Sequence, residues 1–259
     1  MNDIIEKIFV INLEKCIDRK EHIIKEFKNY NIQNYEFFKA TNADSEIVKD
    51  MMTNGFVKKF PPCFRCNKNE CNCQNNVLIS NQIGNWCSFI NIMKKIIENN
   101  YKNLIMICED DIKFTDNGIN IINKMISINN ITKNNINLNK PLLFRLGSAH
   151  SENHKKNHEP IFTQKILMSN PCFIINKQFA HEFINNLKII GTTSDIYIHN
   201  NLITHNPSIQ HFTIMPQPVY ELSWGKKAIF YSEIHPKGID DIDKERMKTH
   251  VKRVEYKDL

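Results

Sequence analysis

The sequence predicts an α/β fold with a mostly parallel central sheet flanked by helices, and two observations predict it. Short apolar runs alternate along the chain with stretches whose apolar residues recur every three to four positions. The runs are also nearly continuous in their apolar character, as strands covered on both faces require.

The first element is Lys7-Ile8-Phe9-Val10-Ile11-Asn12-Leu13, a run bounded by polar residues that reads as a buried strand. Asp18 is placed to cap a helix in which Ile23, Ile24 and Phe27 share a face. Residues 35–40 read as a second strand, followed by the polar loop Thr41-Asn42-Ala43-Asp44. From 85 to 99, Trp86, Phe89, Ile90, Met93, Ile96 and Ile97 fall at helical steps with no Pro or Gly between them. Residues 103–108 form an apolar strand that ends directly in Glu109-Asp110-Asp111. Beyond it the pattern predicts a helix over 119–128, strands over 141–147 and 172–175, and a helix over 178–187. Residues 214–218 close the ordered core ahead of a charged tail, and no internal repeat is visible.

At 259 residues the chain is read as one domain over 1–259, carrying one core and a Cys-rich insertion at 61–76. Hydrophobic residues make up 41% and charged residues 24%, values that support a packed interior and exclude a disordered chain. The net charge of +6 is spread along the sequence, which argues against a nucleic-acid partner while suiting an anionic small ligand. The N-terminal residues lack a signal-peptide run, and no stretch reaches the roughly 18 apolar residues of a membrane span. A soluble, cytoplasmic protein without a transmembrane segment is therefore expected.

The acidic triplet stands where topology expects chemistry, because ligands of open α/β sheets bind beyond the carboxyl ends of the strands. Carboxylates there can hold a divalent ion that neutralises a leaving diphosphate. If the strand pleat continues, Glu109 and Asp111 point one way and Asp110 the other. The plainer alternative is a solvated turn or a helix cap.

Cys63, Cys66, Cys71 and Cys73 place four of the eight cysteines within eleven residues, behind Pro61-Pro62. Four thiolates so spaced can close on a structural Zn2+ and stabilise a loop too polar to have its own core. Two disulfides, or inert thiols, are the alternatives. The remaining cysteines, 16, 87, 108 and 172, lie in apolar segments as buried thiols would.

Several segments, taken in order, resemble glycosyltransferase family 25, which includes lipopolysaccharide-type sugar transferases and the procollagen galactosyltransferases. Val10-Ile11-Asn12-Leu13 with Asp18-Arg19-Lys20 is similar to the family's opening strand and basic turn. The stretch 37–44 resembles its second-strand segment, and Ile83-Gly84 with the following Ser88 its pattern before the central helix. Glu109-Asp110-Asp111 resembles its acidic motif, Phe173-Ile174-Ile175-Asn176-Lys177 its late strand, and Ser194-Asp195 the position of a late acid. The chain departs from the pattern at Gln82, where the family usually has Glu, and at Phe89, where it usually has His.

The resemblance implies a GT-A-like, Rossmann-like nucleotide-diphosphosugar transferase fold, a UDP-hexose donor, Mn2+ and inversion at the anomeric carbon. On that reading Asn12, Leu13, Arg19, Thr41 and Asp110 contact the donor, and Glu109 and Asp111 hold the Mn2+. Asp195 is the candidate base toward an acceptor hydroxyl on a glycan or protein, a collagen-like hydroxylysine among them; the alternative is a helix cap, since Thr192-Thr193-Ser194-Asp195 precedes an Ile-Tyr-Ile segment. The rivals are a non-catalytic zinc-knuckle binding module and a degenerate transferase that binds donor without turnover.

Overall fold

The computed structural model describes residues 4–57, 78–99, 101–148, 159–167, 169–223 and 229–230. The predicted Cys-rich insertion at 61–76, with Cys63, Cys66, Cys71 and Cys73, lies outside the described residues.

The chain opens with β1 (Ile5–Asn12), α1 (Ile17–Asn29), β2 (Tyr35–Lys39) and α2 (Glu46–Thr53). The long α3 (Ser80–Glu98) leads into β3 (Leu104–Glu109), and β4 (Ile112–Phe114), α4 (Gly118–Met125) and α5 (Ile128–Lys133) follow. Next come β5 (Leu142–Arg145), β6 (Gly147–Ser148), β7 (Ile161–Thr163), β8 (Cys172–Ile175) and α6 (Lys177–Asn186). A short α7 (Ser194–Ile196) passes through a π-helical turn (Tyr197–Asn201) into α8 (Leu202–His205), and β9 (Gln210–Met215) and β10 (Val219–Glu221) complete the set.

The central sheet has seven strands in the order β2-β1-β3-β8-β5-β9-β7. β1 pairs in parallel with β2 and β3, and β5 with β9, whereas β8 runs antiparallel to β3 and β5, and β7 antiparallel to β9. Five of the seven strands therefore share one direction, as the sequence predicts and as the GT-A-like arrangement requires. β4, β10 and β6 form a second, three-stranded sheet.

Both faces of the central sheet are covered, which is why its strands read as unbroken apolar runs. Phe9, Ile105, Ile107 and Phe173 pack on one face beneath Trp86, Phe89 and Met93 of α3 and Phe179 and Phe183 of α6. Their immediate neighbours Ile8, Val10, Met106 and Ile174 pack on the other face, beneath Ile23 and Phe27 of α1 and Ile121 and Ile122 of α4. This alternation is the two-residue period of a strand resolved into two cores.

Four local expectations change. Cys16, and not Asp18, is the residue preceding α1, while Asp18 lies in the first turn, where its charge complements the helix dipole. α3 begins at Ser80, five residues before the predicted start, because the Gln82 side-chain oxygen accepts from the Ile79 N–H at 3.0 Å. The predicted 119–128 helix is divided at Ser127, whose hydroxyl accepts from the Asn130 N–H at 3.3 Å and caps α5. The 141–147 strand ends at Arg145, and Gly147 joins the second sheet so closely that a Cβ there would stand 2.6 Å from the Val219 carbonyl. Cys16, Cys87, Cys108 and Cys172 are buried and not disulfide-bonded, as expected. No helix among the described residues is long and apolar enough to cross a membrane.

Candidate active site

The chain leaves β1 for β2 on one side and returns to β3 on the other, so strand order switches direction between β1 and β3. Crevices form at such switch points, outside the carboxyl ends of the strands. Here a cleft of about 120 Å³ opens, lined by Leu13 after β1, Thr41 after β2, Glu109 at the end of β3 and Asp110 and Asp111 after it.

Asp110 and Asp111 are 5% and 3% exposed, so the triplet is no solvated turn. β3 ends at Glu109, and the strand alternation expected for the three acids ends with it. Both aspartates instead turn toward Arg19 of α1, whose Nη1 lies 2.8 Å from Asp110 Oδ1 and 3.4 Å from Asp111 Oδ2. Asn12 supports this pair from behind: its Nδ2 donates to Asp110 Oδ2 at 2.7 Å and to the Cys16 carbonyl at 3.2 Å.

The floor of the cleft depends on a close approach between α3 and the loop after β2. A Cβ on Gly84 would stand 2.7 Å from the Thr41 carbonyl, so only glycine lets the loop settle there. Ser88, one turn on, donates to the Gly84 carbonyl at 2.8 Å and accepts from the Thr41 N–H at 2.9 Å. The Ile-Gly and Ser pattern noted in the sequence is thus the clamp that seats Thr41 at the cleft.

A fourth carboxylate, Glu221 at the end of β10, also lines the cleft. It was not predicted, because nothing around Tyr220-Glu221-Leu222 marks it locally. Its Oε2 accepts from Ser169 Oγ and its Oε1 from Ser223 Oγ, both at 2.8 Å. Asp195 stands behind Ser169: its Oδ2 accepts the Ser169 N–H at 3.2 Å, and it is not among the residues that line the cleft. Asn85 joins the other wall, its amide donating to Glu109 Oε1 at 3.4 Å while its oxygen accepts from Ser194 Oγ at 2.5 Å.

Four acids around one guanidinium leave an excess of negative charge. Burial, then repulsion from Asp111 and Glu221, pushes the Glu109 carboxyl well above its ordinary range. Burial likewise lifts Asp110 to about 6 against the pull of Arg19. Glu221 rises to about 7, first through burial and then through Asp111. Burial disfavours the Arg19 cation, yet Asp111 and Asp110 outweigh it and raise its pKa, so Arg19 stays charged. Among the described residues Asp111 Oδ1 is buried with no hydrogen-bond partner, an acceptor open to a group outside the protein. No three His, Cys, Asp or Glu side chains among the described residues are set to hold a metal by themselves. A cation would therefore need oxygens from a ligand as well.

A second buried arginine, Arg145, is not among the residues that line the cleft. It is 1% exposed, donating from Nε to His199 Nδ1 at 3.1 Å and from Nη2 to the His199 carbonyl at 2.9 Å. His211 Nδ1 lies 3.3 Å from its Nη1.

A family model described as glycosyltransferase family 25 (LPS biosynthesis protein) matches residues 5–198. The chain belongs to glycosyltransferase family 25. Comparison with curated proteins yields no match. As a family 25 glycosyltransferase it takes a sugar donor and an acceptor, and the matched span contains the β1, β2 and β3 ends, Gly84, Ser88 and Asp195. Glu221 lies beyond it. The two departures from the family pattern fall outside the acid cluster. Gln82 serves the start of α3 through its bond to Ile79, and Phe89 is fully buried with its ring centroid 6.0 Å from that of Phe173.

Proposed function

We propose that this family 25 glycosyltransferase moves a hexose, galactose or glucose, from a UDP-sugar to a hydroxyl of a glycan or protein acceptor, a collagen-like hydroxylysine among them, inverting the anomeric carbon. The observation that carries this reading is Asp111 Oδ1, unpartnered among the described residues and buried in a cleft lined by four acids, one arginine and one lysine. Such a cluster suits a divalent ion, Mn2+ here, held by Asp111 and Glu109. Hard cations of this kind complete their shell with substrate phosphates and water, so one or two carboxylates suffice. When bound, the ion would neutralise charge on the departing diphosphate.

The residues of the chain divide the remaining work. Arg19 and Asn12 hold Asp110, and Arg19 also holds Asp111, so the acid turn is fixed before the donor arrives. Leu13 and Thr41 border the space for the nucleotide. The proton released by the acceptor hydroxyl falls to the Asp195 side of the cleft, where Ser169 joins Asp195 to Glu221. Cys63, Cys66, Cys71 and Cys73 are proposed to hold a structural Zn2+.

The experiment is UDP release from a panel of UDP-sugars by the purified protein, with Mn2+ or with EDTA, beside Asp111→Asn. Metal-dependent release that the variant loses is the expected result. A folded protein with neither hydrolysis nor metal-dependent UDP binding would overturn the reading in favour of a binding module, and binding without release would mark a degenerate transferase.

A further inference from the structure

Three of the four carboxylates in the cleft are already committed. Asp110 spends both oxygens on Arg19 and Asn12. Asp111 faces Arg19 with one oxygen, the other being the one the proposed cation would take, and Glu109 accepts the Asn85 amide at the end of β3 beside it. Glu221 differs in kind. Among the described residues its hydrogen-bond partners are two serine hydroxyls, one on each oxygen, and neither oxygen is hydrogen-bonded to a cation or an amide.

Its position is as fixed as that of the other three. Glu221 is opposite Ile112 in the β10–β4 ladder, and the next residue, Leu222, donates its N–H to the Asp111 carbonyl at 2.7 Å. The two strands therefore bring Glu221 beside the acid turn through backbone bonds. Ser169, its main support, adopts a φ of 82°, a left-handed conformation that is strained for serine. In that conformation its N–H meets Asp195 while its hydroxyl meets Glu221. Asp195 is thus one residue removed from the cleft, and Glu221 is in it.

We propose that Glu221 is the catalytic base of the transfer and that Asp195 is a positioning residue acting on it through Ser169. This assignment rests on the transferase reading above. In the step, the acceptor hydroxyl oxygen forms the new bond to the anomeric carbon and its proton passes to a Glu221 oxygen. The bond from that carbon to the β-phosphate oxygen breaks, and its electron pair leaves with UDP. Each carboxylate oxygen has two lone pairs, so one stays free for the incoming hydroxyl while the serine bonds hold the group in place.

The test is UDP release from UDP-galactose and UDP-glucose with saturating Mn2+, water serving as acceptor, in wild-type, Glu221→Gln, Glu221→Ala and Asp195→Asn proteins. Loss of a general base costs on the order of 10²- to 10⁴-fold. Glu221→Gln is therefore expected to lower kcat about 100-fold or more with little change in donor KM. Azide needs no deprotonation, so it should restore turnover to Glu221→Ala and give the β-glycosyl azide. Asp195→Asn should lose kcat to a smaller extent. Unchanged kcat in Glu221→Gln, or a loss reversed at Mn2+ concentrations above those that saturate wild type, would overturn the assignment while leaving the transferase reading in place. An inactive wild-type protein would instead remove the transferase reading, and this assignment with it. Far-UV circular dichroism and UDP binding establish that each variant is folded.

Discussion

The Asn12 amide donates to Asp110 Oδ2 at 2.7 Å, tying the last residue of β1 to the turn that follows β3. The two strands are neighbours in register, with Ile11 opposite Glu109, so the bond links their carboxyl ends where the acids begin. Asn12→Ala leaves Asp110 with Arg19 alone and removes a buried donor. A loss of about 1–3 kcal/mol in stability is expected from urea unfolding, and an unchanged unfolding midpoint would show that the bond contributes nothing.

Arg19→Met should cost more, because it leaves Asp110 and Asp111 buried without a cation. Breaking a buried pair in this way costs about 3–5 kcal/mol. Addition of Mn2+ is expected to recover part of the thermal stability, since the ion would supply the missing charge. A variant as stable as wild type in EDTA would contradict the electrostatic account of the cleft.

Gly84→Ala places a methyl group 2.7 Å from the Thr41 carbonyl, a backbone atom that cannot swing aside. Overpacking of this kind costs about 1–3 kcal/mol. The loop bearing Thr41 should retreat from α3, so donor KM is expected to rise more than kcat falls. Steady-state kinetics on the donor that wild type prefers would settle this, and an unaltered KM would sever the link between the Gly84 contact and the cleft.

His211 is held down to about 4, by burial first and by Arg145 second, so it is neutral in the folded protein. The unfolded chain takes up that proton near the ordinary imidazole value of 6.5. Between the two values the unfolded state binds more protons, and stability present above pH 6.5 is lost as pH falls toward 4. Replacing His211 with Gln removes this uptake. The variant's Tm should therefore gain on that of wild type between pH 7 and pH 4.5, whereas a constant difference would refute the shift.

Metal analysis of the purified protein tests the cysteine cluster. One equivalent of zinc, released when thiols are alkylated under denaturing conditions, is expected from Cys63, Cys66, Cys71 and Cys73. Protein free of zinc, with four thiols fewer than its eight cysteines in a denaturing titration, would mean two disulfides instead.

Parts of this architecture were legible because their signals are local. The run from Leu104 to Cys108 is apolar at every position, which only a strand buried on both faces tolerates, and the acids had to follow at its end. The face of α3 that carries Trp86, Phe89 and Met93 was readable from its period. What escaped was also physical in origin. α2 is only eight residues long, with Val48 its one buried residue, too little pattern to read. The start of α3 and the break at Ser127 depend on single side-chain bonds, which periodicity does not register.

The sequence alone determined the alternation of strands and helices, the four buried thiols and the acidic triplet beyond β3, because burial pattern and strand ends are written in neighbouring residues. The tertiary structure alone decided that Asn12 and Arg19 meet acids 98 and 91 residues away, and that Glu221 enters the cleft under Ser169, 52 residues before it in the chain. The physical reason is that a period states which face a side chain takes, whereas its partner is set by the order in which strands lie side by side. That order is a property of the assembled sheet.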